Sequence, residues 1–152
     1  MKLHLSQLRL PCNDPWRQYK TGSRIAFQHH LAQANQAGCK DSLLIDQQDR
    51  ILETCYGNVM WCEEGHWFTP RLDLGILPGI FRDWLFESEL VEEGVLFLDE
   101  LKHVEGLLVC NSVQGPRMVD MVGDLRIERS AASNFIADLP RRRFEALQDQ
   151  MA

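Results

Sequence analysis

Four short apolar runs lie between Ser42 and Thr69, divided by turns too short to hold a helix. Ser42-Leu43-Leu44-Ile45-Asp46 reads as a buried strand, Gln47 to Asp49 as a turn, and Ile51 to Cys55 as the start of a second strand. Asn58 to Cys62 continues the sheet, Glu63-Glu64-Gly65 turns it, and His66 to Thr69 returns as a hairpin. Runs of this length with turn residues between them are strands, because an amphipathic helix needs at least two or three uninterrupted turns. A sheet is therefore obligatory.

Helices flank it. Apolar positions at Ile25, Phe27, Leu31, Ala32 and Ala34 predict a helix over 21–37 with Gly38 as its stop. A second helix is predicted from about Ile80 to Glu92, with Phe81, Trp84, Leu85 and Leu90 inward and Gly94 as its end. Ser130 is placed to cap a third, which Pro140 is expected to break or restart. Residues 3–10, Val95 to Leu98, Leu107 to Cys110 and Met118 to Ile127 supply the remaining strand candidates. Strands and helices alternate without an even βαβ rhythm, so the expected fold class is α/β or α+β with a mixed sheet. No repeat or linker divides residues 1–152, and a single domain is expected.

Composition removes several function classes. The apolar share of 45% and charged share of 25% are those of a folding chain rather than a disordered one. Sixteen basic against 22 acidic residues give a net charge of −6 and no basic face for a phosphate polymer, so no nucleic-acid partner is expected. The apolar stretch Leu74 to Phe81 is too short to cross a bilayer, and no long apolar segment follows Met1, so neither a membrane span nor a leader is expected. Five irregularly spaced cysteines read as reduced thiols in the cytoplasm. No metal site is expected either. Cys62 and His66 flank one turn but make only half a zinc site, and His29 and His30 point about 100° apart on a helix. No nucleophile elbow or activated cysteine is present, and Arg141-Arg142-Arg143 reads as a solvated helix face.

Three features remain. Tyr19-Lys20-Thr21-Gly22-Ser23-Arg24 sets a lysine just before a helix. Glu53 sits in a strand with the small or polar run Thr54 to Asn58 behind it. Leu77-Pro78-Gly79-Ile80-Phe81-Arg82 puts a Pro-Gly turn at a helix N-terminus, where free N–H groups and the helix dipole favour a phosphate. Each alone also fits a bland reading, namely a surface lysine, a strand-edge glutamate and a loop that starts a helix.

Their order and spacing resemble the C-terminal, cofactor-binding half of the fold-type IV pyridoxal-phosphate enzymes. That family includes branched-chain and D-amino-acid aminotransferases and aminodeoxychorismate lyases. The likeness runs through KTGSR at 20–24, LLID at 43–46, ILETCYGNVMW at 51–61, TPRLDLGILPGIFR at 69–82 and VCNSV at 109–113. Within the family, TPRLD, Cys110-Asn111, Arg24 and the placing of Asn58 five residues after Glu53 look like the lyase branch.

The resemblance implies pyridoxal 5′-phosphate as cofactor. Lys20 would bond the cofactor's aldehyde and then act as general acid and base, roles that a desolvated amine can fill. Glu53 would hold the protonated pyridine nitrogen, and Leu77 would pack on one ring face. Gly79 and the N–H groups of Ile80 and Phe81 would cradle the phosphate, with the Ser112 hydroxyl as a further donor. Phe81 stands where a threonine is common, which leaves only its backbone donor. The implied activity is 4-amino-4-deoxychorismate lyase, which releases pyruvate and 4-aminobenzoate on the path to folate, in a homodimer acting on a small molecule. The family's N-terminal domain, which supplies an arginine to the phosphate and a substrate-facing wall, is absent, so a half-enzyme with little activity alone is expected. The alternatives are an aminotransferase-like domain and a non-catalytic remnant or truncated piece.

Overall fold

The computed structural model describes residues 1–19 and 25–151, with side chains over 1–19 and 27–140. In chain order the elements are β1 (Lys2–Leu5), α1 (Ile25–Gln36), β2 (Ser42–Ile45), β3 (Ile51–Thr54), β4 (Asn58–Glu63) and β5 (His66–Pro70). There follow α2 (Ile80–Glu87), β6 (Glu92–Gly94), β7 (Gly106–Asn111), β8 (Gly115–Met118), β9 (Met121–Val122), β10 (Leu125–Arg126) and α3 (Ser130–Met151). Short 3₁₀ helices occupy Pro15–Gln18, Leu72–Leu74 and Leu98–His103.

The fold is α/β with one mixed sheet. Its path runs β10-β9-β1-β2-β3-β4-β5-β6, and β7 joins β4 on its other side and carries β8. Pairings β1–β2, β1–β9 and β5–β6 are parallel and the rest antiparallel. The four runs that forced a sheet are β2 to β5. β4 is the hub, because Asn58 pairs with both Glu53 and Cys110, and Cys62 with both Trp67 and Gly106.

Strand alternation divides the core into two kinds of face. Leu43, Ile45, Ile51, Val59, Trp61, Leu107 and Val109 meet inside the curved sheet. On the outer face Met60, Leu108 and Cys110 pack under α2 and α3. Leu44 and Leu52 pack with Leu74 and Ile76, joined by Phe27 and Leu31 of α1. Each fully buried Leu or Ile contributes about 1.5–3 kcal/mol, so the outer clusters suffice to fix the helices on the sheet.

Several boundaries differ from the sequence expectation. α2 stops at Glu87 and not at Glu92, and Gly94 belongs to β6. Glu89 adopts a φ of 56°, and the Leu90 N–H bonds the Leu85 carbonyl while the Glu89 N–H bonds that of Phe86, a Schellman closure made without glycine. It turns Leu90 and Val91 into the cluster under α2. Val95 to Leu98 is not a strand. After one bridge from Phe97 to Arg50, the Glu100 carboxylate accepts the Phe97 N–H and opens a 3₁₀ helix. β1 ends at Leu5, with Leu10 returning as a lone bridge to Asp46. Ser130 is the first residue of α3 rather than its cap, and the Glu128 carboxylate takes the N–H groups of Arg129 and Ser130. Those bonds hold Glu128 below the usual carboxylate range. α3 then runs through Pro140 without a break, the proline lying on its exposed face. The β4–β5 register sets Cys62 opposite Trp67 and His66 opposite Glu63, so Cys62 and His66 do not face each other.

Candidate functional site

β3 carries Glu53 into the sheet interior, between β2 and β4, where it is 3% exposed. The expectation of a strand-edge carboxylate is thereby corrected. Glu53 Oε2 accepts the Leu77 N–H at 3.2 Å, and Asn58 Nδ2 donates to the Leu77 carbonyl at 2.8 Å. The pair that faces across β3 and β4 thus grips one residue of the loop leading into α2. Gly79 is the N-cap of α2, with no side-chain cap, and a Cβ there would run into the Asn58 side-chain oxygen. The first helical hydrogen bond back to this cap comes from Asp83, so the N–H groups of Ile80, Phe81 and Arg82 precede the helical ladder.

The turn between β7 and β8 forms the other wall. Asn111 Oδ1 accepts the N–H groups of Val113 and Gln114 at 3.0 and 2.8 Å, and Asn111 Nδ2 donates to the Tyr56 carbonyl at 3.1 Å. Between these walls lies a cavity of about 680 Å³, bounded by Glu53, Leu77, Gly79, Ile80 and Ser112, and also by Lys40 and Arg117. Five of the residues expected at a cofactor site therefore meet in one place. Phe81 does not reach this wall with its side chain, which packs in the cluster under α2 with its ring 5.6 Å from that of Trp84. Only its backbone is available for a ligand. Lys20 lies outside the described residues.

Two buried arginines brace the site, and neither was legible in the sequence. Arg17 Nε donates to the Gly75 carbonyl at 3.1 Å, Nη2 to Leu74 at 2.9 Å and Nη1 to Pro11 at 2.6 Å. Burial lowers its pKa, and the nearby charges of Asp14 and Glu53 oppose that. The segment just before Lys20 is thereby tied to the loop that delivers Leu77 and Gly79. Gly75 makes the approach possible, since its φ is 81° and a Cβ would lie 2.5 Å from the Asp14 carbonyl oxygen. Arg82, 1% exposed, ties α2 to the Pro70 carbonyl at 3.0 Å and to Glu93. A motif search passes over both, because a lone arginine beside a turn has no spacing signature. Asn58 does have one, in its register with Glu53.

The donor set fits a pyridine phosphate. Cavities of this size hold small-molecule ligands. A buried carboxylate suits a ring N–H⁺, and uncapped helix N–H groups suit a phosphate. A second hollow of about 550 Å³ beside α3 is bounded by Glu89, Glu92, Glu105 and Asp138. Its acidic wall repels a phosphate. Among the described residues no group of three or more His, Cys, Asp or Glu gathers as metal ligands, and no helix is long and apolar enough to cross a membrane.

Comparison with known proteins identifies the family and the fold. A protein of Schizosaccharomyces pombe named for aminodeoxychorismate lyase is 35% identical over 82 residues, 52% of this chain and 36% of its own length. A Thermotoga maritima protein named for branched-chain-amino-acid aminotransferase is 30% identical over 90 residues, 56% of this chain and 33% of its own. The chain thus matches about a third of the length of these curated relatives. Among solved structures, a Legionella pneumophila protein named for 4-amino-4-deoxychorismate lyase superposes with a TM-score of 0.81 at 24% identity, covering 93% of this chain and 55% of that one. The branched-chain amino acid aminotransferase of Escherichia coli gives 0.79 at 21% identity, over 90% and 50%. These two likenesses speak for the fold. The family described as amino-transferase class IV, whose members are pyridoxal-phosphate-dependent enzymes, matches residues 1–121, and the chain belongs to that family.

Proposed function

We propose that this chain is the cofactor-binding domain of a 4-amino-4-deoxychorismate lyase. The observation that carries the reading is the single cavity joining Glu53, Leu77, Gly79, Ile80 and Ser112, residues drawn from β3, the loop before α2 and the β7–β8 turn. In this reading Glu53 holds the ring N–H⁺, Leu77 packs on a ring face, and the N–H groups of Ile80 and Phe81 with the Ser112 hydroxyl hold the phosphate. When bound, pyridoxal phosphate supplies an aldehyde for the substrate amine and a ring that draws electrons from the adjacent bonds. Lys20 Nζ would take the proton from the ring carbon bearing the amine and return it to the methylene carbon of the departing enolpyruvate, which leaves as pyruvate as the ring becomes aromatic. Glu53 keeps the pyridine proton in place by charge, and the Leu77 side chain excludes water from that face.

The domain reading is that residues 1–152 act as one unit and need a substrate-facing domain, in a homodimer of the cytoplasm and with no nucleic-acid partner. Turnover by these residues alone is then slight, because orienting a substrate supplies on the order of 7–11 kcal/mol of a barrier and needs walls on both sides.

The test is borohydride reduction with pyridoxal phosphate followed by peptide mapping. Lys40 shares the cavity wall, which makes the outcome decisive. An adduct on Lys20 is expected, and an adduct on Lys40 or on no lysine overturns the reading. A second reading, an aminotransferase, draws on a Mesorhizobium loti protein named for amino-acid aminotransferase, 30% identical with a TM-score of 0.75 over 80% of this chain and 59% of its own. Pyruvate release without a 2-oxo acid acceptor, with an added N-terminal domain, favours the lyase. Dependence on the acceptor favours the aminotransferase.

A further inference from the structure

Among the described residues each arginine that is not exposed has an ion pair, with one exception, although Nε of Arg82 also lacks a hydrogen-bond partner. Arg9 pairs with Asp49 at 2.8 Å and Arg50 with Asp46 at 2.7 Å. Arg17 donates to three carbonyls, and Arg82 to Pro70, Asp83 and Glu93. Arg117 has no such match. Its Nε and Nη2 are shut off from solvent and have no hydrogen-bond partner. Among the described residues no carboxylate stands within ion-pair distance of it.

Its position gives the exception a meaning. Arg117 lies on β8 opposite Val109 of β7, below the Asn111–Gln114 turn, and lines the 680 Å³ cavity that holds Glu53 and Ser112. An arginine cannot shed its charge by losing a proton, so a desolvated guanidinium stays cationic and requires an anion. The buried carboxylate in its field is Asp41, whose Oδ1 accepts the N–H groups of Ser42 and Cys55 and whose Oδ2 is buried without a hydrogen-bond partner, outside ion-pair distance of Arg117. Burial pushes the Asp41 carboxyl upward, and hydrogen bonds from Thr54, Ser42 and Cys55, followed by the Arg117 charge, pull the other way. Lys40, on the same wall, is exposed, so its charge is spread into solvent.

We propose that Arg117 is the anion-binding residue of this cavity, receiving an oxyanion of the bound ligand, either the cofactor's phosphate or a substrate carboxylate. The inference rests on the cofactor-site reading and deepens it. A guanidinium suits both oxyanions by its fixed charge, and with Nε and Nη2 closed to solvent it is Nη1 that a ligand in the cavity reaches.

The experiment titrates the whole 152-residue chain with inorganic phosphate and with benzoate while following the Arg117 Nε–H by nitrogen-15 NMR. A saturable shift with at least one probe is expected. Arg117→Gln should weaken that probe's binding tenfold or more, Arg117→Lys less, and Lys40→Gln by under twofold. A phosphate response, with pyridoxal phosphate but not pyridoxal losing affinity in Arg117→Gln, assigns the cofactor's phosphate. A benzoate response with pyridoxal phosphate affinity unchanged assigns a carboxylate. No shift with either probe overturns the proposal, as does equal weakening by Arg117→Gln and Lys40→Gln. The wild-type shift needs no variant to fold. It is also independent of Lys20: a reduced adduct on Lys20 with a silent Arg117 sinks this inference alone, and a responsive Arg117 without the adduct sinks the cofactor reading.

Discussion

Glu53 and Asn58 face each other across β3 and β4 and hold the two polar groups of one residue, Leu77. The carboxylate takes the N–H at 3.2 Å and the amide donates to the carbonyl at 2.8 Å. Their roles separate under mutation. Glu53→Gln keeps an oxygen for the Leu77 N–H, so that hydrogen bond should survive and the chain should still fold. Reaction with a cofactor that needs its ring N–H⁺ held by charge should fall steeply, since an amide does not hold it so. Asn58→Ala leaves the Leu77 carbonyl unbonded and should cost about 1–3 kcal/mol. Urea denaturation reads the stabilities. A Glu53→Gln chain that reacts at the parent rate would assign Glu53 to structure alone.

Arg17 should matter as much for stability as any apolar core residue. Each hydrogen bond from a charged donor is worth about 1.5–3 kcal/mol, and Arg17 makes three to main-chain carbonyls. Arg17→Met is expected to cost at least 3 kcal/mol. Gly75→Ala should also destabilise, because it adds strain of about 1–3 kcal/mol at a positive φ to a clash with Asp14. Thermal melts of both variants check this, and the double variant should lose less than the sum, since both changes break one contact.

His30 makes stability depend on pH. It is fully buried on α1, its Nδ1 lies 2.5 Å from Ser6 Oγ, and its Nε2 has no partner. Burial lowers its pKa, and the neighbouring His29 and His4 lower it further. The unfolded chain, with an ordinary imidazole near 6.5, therefore takes up the proton first. The stability is whole above that value and is lost as pH falls through it toward the lower folded pKa. Melting temperature should drop between pH 8 and pH 5, and His30→Asn should flatten that slope whatever it does to the melting temperature at pH 8. An unchanged slope would clear His30.

The thiols should divide by access and ionisation. Burial pushes Cys110 up to about 12, and burial with the Glu105 charge pushes Cys62 up to about 11. Cys110 is 0% and Cys62 1% exposed. Iodoacetamide at pH 8 should leave both unmodified in the folded chain while reaching the partly exposed Cys12, and mass mapping after a timed pulse reads the pattern.

The sequence by itself determined the sheet, because the runs from Ser42 to Thr69 are apolar, short and separated by turns that admit nothing else. It also pointed to the residues of the candidate site, since the Glu53 strand and the Pro78-Gly79 turn are local patterns with local causes. Element ends were less legible. Glu89 closes α2 in a left-handed turn that a glycine-based rule does not anticipate, and Glu100 converts an apolar run into a 3₁₀ helix through one hydrogen bond. The bracing of the site was not legible at all. Arg17 acts on Gly75 across 58 positions of sequence, Arg82 is buried within an amphipathic helix, and Arg117 is set apart only by the lack of a partner. The reason is physical. Periodicity and turn chemistry are set by neighbours along the chain, whereas the cost of burying a charge depends on which distant carbonyls and carboxylates the fold brings beside it, and that is decided only when the sheet closes.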